Sequence, residues 1–302
     1  MRKYLFFPVL LLCLTACQKE VVQPKVYGRY VPERKDDFAW ENEYAAFRVY
    51  GPALLNENPS NGVDLWLKNS PALVIDTMYG RELKDGRPYH INYDGNLDCY
   101  KVAHTAGCGG LAVVTKNGLW IGGPYSTWEI TEQTPDKFVF RLHYDSLLVD
   151  GVQLQADLVI TAEAGQLLNR ADVVLSERKK GEFPQAELWL GGGIFLHDHI
   201  DAYRIYEANG AVAYAEDALS DKAAAKMNFD YNGSTSQGRN YVAVITPGAT
   251  RQEIIDGTLV SVSPYVFGDT LTYYFGACWS EWQKENQAFP TDEAWFQTIE
   301  GL

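Results

Sequence analysis

Phe138-Val139-Phe140-Arg141-Leu142-His143-Tyr144 is the stretch on which the fold class turns. Apolar side chains recur at every second residue. Phe138, Phe140, Leu142 and Tyr144 therefore share one face of an extended chain, and Arg141 and His143 lie on the other. A sustained period of two sets one face on a core and the other in water. Val152-Gln153-Leu154-Gln155-Ala156-Asp157-Leu158 repeats the pattern, with Asp150-Gly151 as the turn between the two runs. Upstream, Thr134-Pro135-Asp136 separates this strand from one over 128–131. Lys116-Asn117-Gly118 separates 111–115 from 119–121, and Asn-Gly is a favoured tight hairpin turn. Further strands are expected over 186–190, 203–207, 241–246 and 271–275. Helices are few: one over 220–227, capped by Ser220, and a short C-terminal one opened by Thr291-Asp292-Glu293. Trp295, Phe296 and Ile299 would dock the latter. Many hairpin-linked strands in about 270 residues predict an all-β fold, a large antiparallel β-sandwich with few short helices.

The N-terminus reads differently. Arg2 and Lys3 precede an apolar run from Leu5 to Leu14, which ends at Leu14-Thr15-Ala16-Cys17. A basic start, a short apolar core and small residues before a cut describe a secretory signal, too short to span a bilayer. Cysteine after Leu-Thr-Ala resembles the bacterial lipobox, in which that cysteine becomes the acylated N-terminus. The expected organisation is a signal peptide at 1–16, a polar lipidated tether at 17–34 with Cys17 as the lipid site, and one domain at 35–302. Such a protein is lipid-anchored in the bacterial cell envelope, on the periplasmic side or at the outer-membrane surface.

Charge excludes one class of partner. There are 26 Lys plus Arg against 39 Asp plus Glu, a net of −13, and loss of Arg2 and Lys3 makes the mature chain more acidic still. That balance argues against nucleic acid and against broad polyanion binding, although a local cationic pocket for one acidic group is compatible with it. Beyond Cys13 and Cys17, Cys99, Cys108 and Cys278 remain. Cys99 and Cys108 are close enough in sequence to pair across a turn; three free buried thiols are the alternative.

Three clusters carry residue types suited to chemistry. Gly191-Gly192-Gly193-Ile194-Phe195-Leu196-His197-Asp198-His199 sets two imidazoles at i and i+2, on one side of an extended chain, after glycines that admit close approach of backbone or ligand. The pair suits an acid/base site or two ligands of a divalent metal, with His104 or a carboxylate as third ligand; no cofactor is required. A polar loop with solvated histidines is the plainer reading. Asp98-Cys99-Tyr100-Lys101-Val102-Ala103-His104 leads into a glycine-rich turn. There Lys101 could neutralise a carboxylate and His104 exchange a proton near pH 7. Trp40-Glu41-Asn42-Glu43 through Arg48, followed by Asn61 to Lys68, crowds acids, an amide and cations. Arg48 offers a fork suited to a uronate carboxylate, and a Glu43–Arg48 ion pair is the structural alternative. His90 and His143 read as solvated. Most of the 8 Trp and 19 Tyr must pack a core, but some could line a sugar cleft.

Read together, Trp40-Glu41-Asn42-Glu43, Phe47-Arg48-Val49-Tyr50-Gly51-Pro52, Asn61 to Lys68, Asp98 to Val102 with His104 and Gly107 to Gly110, Trp128-Glu129 and the Leu190 to Gly193 turn resemble the domain of unknown function 4861 family. The family name asserts no activity. The resemblance implies a sandwich similar to the galactose-mutarotase and lyase superfamily, and association with polysaccharide degradation. It also implies an oligosaccharide or polysaccharide substrate containing uronic acid. On that basis the expected chemistry is β-elimination by a lyase or dehydratase. Arg48 and Lys101 would bind the substrate carboxylate, with Glu43, Trp66 and Lys68 as further substrate contacts. His104 or His197 would act as base, and His199 or Tyr203 as acid. The alternatives are a glycosidase or sugar mutarotase on the same fold, the glycosidase using paired carboxylates drawn from Glu41, Glu43 and Asp98, and a non-catalytic glycan-binding surface lipoprotein.

Overall fold

The structure, a computed structural model, describes residues 23–57, 59–183, 187–197, 204–220, 235–286 and 288–302. Among them, eighteen strands form three antiparallel sheets. The first is a meander in chain order: β1 (Tyr27–Val31), β2 (Asp37–Glu41), β3 (Ala45–Val49), β4 (Val63–Lys68) and β5 (Asn96–Asp98). The second takes the order β16 (Arg251–Ile255), β17 (Thr258–Pro264), β12 (Leu188–Phe195), β6 (Cys108–Thr115), β7 (Gly118–Trp120). The third has eight strands in the order β13 (Arg204–Ala208), β14 (Ala211–Ser220), β15 (Thr235–Ile245), β18 (Leu271–Trp279), β11 (Leu168–Glu177), β10 (Val152–Glu163), β9 (Lys137–Val149), β8 (Thr127–Gln133).

The expected β-sandwich is present. The eight-stranded sheet forms one layer, and the two five-stranded sheets, joined by a parallel bridge between Val63 and Gly107, form the other. Phe138, Phe140, Leu142 and Tyr144 are all buried, in one cluster with Phe47 and Leu65 from the first sheet and Val113 and Leu190 from the second. Trp40 meets Phe140 with ring centroids 5.0 Å apart. The β9–β10 turn takes left-handed φ angles of 49° at Asp150 and 80° at Gly151, the geometry for which Asp-Gly was selected.

The glycine run of β12 has a packing explanation. A Cβ at Gly191 would fall 1.9 Å from the Ser261 carbonyl oxygen, and one at Gly192 2.7 Å from Val244. The close approach expected there is made by neighbouring protein and not by a ligand.

Other expectations need correction. The domain starts before residue 35, because β1 pairs along its length with β2. Ser220 ends a strand, and the remainder of the expected 220–227 helix lies outside the described residues. Of the two readings of the cysteines, that of free thiols holds: Cys99, Cys108 and Cys278 are unpaired. The C-terminal helix α2 (Asp292–Glu300) forms with Thr291 as its cap, and Trp295, Phe296 and Ile299 are buried beneath it. Helix α1 (Ile75–Asp85) was not anticipated. It covers the outer face of the first sheet, where Ile75, Met78 and Tyr79 pack on Ala39, Ala46 and Trp66. Its first amides are met from a distance: the Glu41 carboxylate of β2 accepts from Val74 N and Ile75 N at 2.9 and 3.0 Å. Lys68 Nζ, 2.8 Å away, neutralises that carboxylate.

Candidate active site

Alternation along β3 and β4 sends Phe47 and Leu65 into the sandwich core and Arg48, Asp64, Trp66 and Lys68 to the opposite face. Register then sets Arg48 beside Asp64, and Trp66 beside Asp98. Because α1 and the segment that follows it cover this face, these side chains are buried.

Arg48 sits at the centre, 3 % exposed. Its Nη2 donates to Asp64 Oδ2 and lies 3.4 Å from Asp98 Oδ2. Its Nη1 donates to the Tyr89 hydroxyl at 3.2 Å and lies 3.5 Å from Asp37 Oδ2. Trp66 Nε1 donates to Asp98 Oδ2 at 3.0 Å, and the Tyr79 hydroxyl donates to Asp37 at 3.1 Å. One guanidinium thus faces three carboxylates, with Arg34 3.8 Å from Asp37 and His90 3.7 Å from Asp98 as the further cationic groups, and burying such a cluster is costly. The carboxylates respond unequally. Burial pushes Asp64 up to about 7, against the pull of Arg48 and with the help of neighbouring Asp98. Burial also raises Asp37. At Asp98 burial acts in the same sense, but His90, Arg48 and the Trp66 N–H outweigh it and hold the carboxyl below its usual range. Burial opposes charge on His90, yet the Asp98 carboxylate, 3.7 Å from Nδ1, raises its affinity for a proton. Two neighbouring carboxyl groups driven in opposite directions form an acid and a base in one place.

A cavity of about 340 Å³ opens over this cluster. Arg48, Asp64 and Asp98 line it together with Tyr50, Tyr89 and Tyr100, and its more exposed lining includes Arg34, Lys35 and Lys101. The Tyr50 hydroxyl makes no hydrogen bond among the described residues, and the Arg48 guanidinium lies 5.5 Å from its ring centroid. A larger hollow, about 660 Å³, lies over the eight-stranded sheet, lined by Lys137, Glu163, Arg170, Asp172 and Tyr274 among others. Its ion pairs face water, Arg170 being about half exposed in its 2.9 Å contact with Asp172. No buried carboxylate pair lies in it, so the smaller cavity is the candidate site.

The residues singled out from sequence divide. Arg48 and Lys101 do line one cavity. Arg48 is already matched by carboxylates and is not available to a uronate. His104 is exposed, one residue beyond cavity-lining Ala103. His197 is 1 % exposed, with Nδ1 2.8 Å from Glu216 Oε2 and Nε2 2.8 Å from the Lys101 carbonyl oxygen. It is neither solvated nor free to bind a metal, since both ring nitrogens are engaged. Among the described residues no group of three His, Cys, Asp or Glu is placed to hold a metal ion. Trp66 and Lys68 are fully buried and have no surface to offer a substrate. Glu43 turns away from Arg48, its carboxylate accepting from Gly165 N, so that ion pair does not form. His199, Tyr203 and Cys17 lie outside the described residues. Sequence reasoning undervalued His90, read as solvated, and Asp64. The signal for Asp64 was present: in Val63-Asp64-Leu65-Trp66-Leu67-Lys68 it stands on the face opposite the aliphatic residues.

The fold and its site define a class: an all-β sandwich with a buried acid–base cluster on the outer face of one sheet. The chain belongs to the family Domain of unknown function (DUF4861), whose model matches residues 15–302. It is 26 % identical over 282 residues to "Uncharacterized protein P7" of Formosa agariphila, a match covering 91 % of this chain and 66 % of that protein. The chain thus spans just under two thirds of that relative's length. A solved GH36 alpha-galactosidase, AgaB from Geobacillus stearothermophilus, superposes with a TM-score of 0.35 and 10 % identity, over 83 % of this chain and 41 % of that one.

Proposed function

We propose that this protein is a carbohydrate-active enzyme that cleaves a glycosidic bond with Asp64 and Asp98. One observation carries the reading. Two carboxyl groups reach the same Arg48 nitrogen at the lining of a 340 Å³ cavity, yet one is held protonated towards pH 7 and the other ionised. Asp64 would give its proton to the leaving oxygen as the glycosidic bond breaks, and Asp98 would stabilise or bond to the anomeric carbon; a water would then add there from the vacated side, its proton returning to Asp64. Tyr50, Tyr89 and Tyr100 offer flat apolar faces for the C–H face of a sugar ring. Carboxylates that share one nitrogen are closer than the roughly 6.5–9.5 Å separation of inverting enzymes, so retention of anomeric configuration is the expected outcome.

This reading displaces elimination from a uronate as the leading chemistry. Elimination needs a cation free to neutralise the substrate carboxylate, and Arg48 is already engaged by Asp37, Asp64 and Asp98. Lys101 in the cavity lining keeps an acidic sugar as the second reading. Lipid anchoring at Cys17 in the bacterial cell envelope remains part of the proposal and is tested by mass spectrometry of the mature N-terminus.

The deciding experiment incubates the protein with defined neutral and uronate oligosaccharides, following both reducing ends and the absorbance of a 4,5-unsaturated product. Reducing ends without unsaturation are expected, with D64N and D98N each at least ~100-fold slower. Unsaturated product would establish elimination instead, and binding without turnover would make the protein a glycan-binding one.

A further inference from the structure

We infer that His197 is a positioning residue for the candidate site, a buried bridge with a proton on each ring nitrogen that holds the Lys101 backbone and so the lip of the cavity. The inference rests on reading that cavity as the active site. The segment 99–107, between β5 and β6, contains no strand, yet Tyr100, Lys101, Val102 and Ala103 line the cavity from it, directly after Asp98. Such a segment needs outside attachment: Ser60 and Val63 hold Thr105 and Ala106, and the end of β12 holds the part that lines the cavity. The Tyr100 hydroxyl donates to the Phe195 carbonyl at 2.7 Å, Phe195 N donates to the Gly107 carbonyl at 2.8 Å, and His197 Nε2 meets the Lys101 carbonyl at 2.8 Å.

The partners fix the protonation of the ring. A carbonyl oxygen only accepts, so Nε2 carries a proton. On the other side, Glu216 Oε2 also accepts from the Tyr214 hydroxyl at 2.7 Å, and Oε1 accepts from Asn240 Nδ2 at 2.9 Å. Glu216 is therefore held in place, and a second proton sits between it and Nδ1. Removing either proton sets a nitrogen lone pair against an oxygen and breaks one half of the bridge.

The groups facing the ring set the pH range. Burial disfavours the imidazolium, and the Lys101 ammonium opposes it from the cavity segment. The Glu216 carboxylate of β14 outweighs both and raises the affinity of His197 for its proton. The Tyr100 and Phe195 rings meet the imidazole edge to face, with centroids 4.7 and 5.2 Å away, and the Tyr214 hydroxyl accepts from His197 N. Because the folded value lies above the unfolded one of about 6.5, the bridge contributes fully below that value. Its contribution is lost as the pH rises through the folded value.

Hydrogen exchange of the full chain, read by mass spectrometry over 99–107, tests this. H197Q should raise exchange there at least tenfold while 138–144 stays protected, and E216Q should do the same. In the wild type, raising the pH through the folded value of His197 should loosen 99–107 selectively, after correction for base-catalysed exchange. ¹⁵N spectra should show two N–H groups on His197 at pH 6. Should H197Q fail to fold, the wild-type pH series and the ¹⁵N spectrum decide. A single ring proton at pH 6, or unchanged exchange over 99–107, overturns the assignment. With a turned-over sugar in hand, H197Q should raise KM and leave kcat within a few-fold. If no sugar is turned over, the exchange result stands on its own and only the enzymatic reading falls.

Discussion

The outer faces of the first sheet and of the eight-stranded sheet follow the same alternation, yet they treat charge in opposite ways. On the eight-stranded sheet, Arg170 and Asp172 stand two residues apart in β11 and pair in water. On the first sheet, Arg48, Asp64 and Asp98 come from three strands, and α1 with the segment after it shuts them from solvent. Residue types are alike; the lid differs. Exposed pairs are screened and contribute little, whereas covered ones perturb one another and acquire distinct proton affinities. The smaller hollow is therefore the chemically differentiated one.

Four measurements would break or sharpen this contrast. The largest effect is expected for Arg48→Leu, which removes the buried cation shared by Asp37, Asp64 and Asp98 and should cost about 3–5 kcal/mol in urea unfolding. Arg170→Leu, by contrast, should cost less than ~1 kcal/mol. Equal costs would remove the distinction between the faces. Lys68→Met should fall near the lower end of that buried-pair range, about 3 kcal/mol in urea unfolding, because Glu41 retains the Val74 and Ile75 amides; far-UV circular dichroism should show α1 still formed.

The third concerns pH. Asp64 binds its proton more tightly folded than unfolded, so it makes stability fall as pH rises from about 4 towards 7. Asp98 acts in the reverse sense: its contribution is present above the ordinary carboxylate value and lost as pH falls through its depressed one. Asp64→Asn should flatten the decline between pH 5 and 7 by about 1–2 kcal/mol, at ~1.4 kcal/mol per pH unit for a fully coupled proton. An unaltered slope in urea midpoints at pH 5, 6 and 7 would remove Asp64 as the titrating group. The smallest effect belongs to Asp172→Ala, within about 0.5–1 kcal/mol.

Much of the sandwich was legible because its signals are local. The faces of β9 and β10, the Asp150-Gly151 turn and the Thr291 cap each rest on residues a few positions apart. Helix α1 was not legible, because Gly80 interrupts it and its N-terminal partner is Glu41 rather than a neighbouring side chain. The site suffered for the same reason. Trp66 and Lys68 were expected as substrate contacts because nothing near them in the chain shows what covers β4. With α1 overhead, every residue of β4 is buried. His90 looked like a loop histidine until Asp98 appeared beside it.

The Glu41 carboxylate at the start of α1 has a consequence for how the molecule assembles. The peptide 74–86 carries no side-chain cap of its own and should be coil when synthesised alone. The group that quiets its leading amides arrives only once β2 lies next to β3 and β4 has brought Lys68 alongside. The helix is thus a dependent element, recruited by a finished sheet, and the charged cluster beneath it is closed off from water only after that late step.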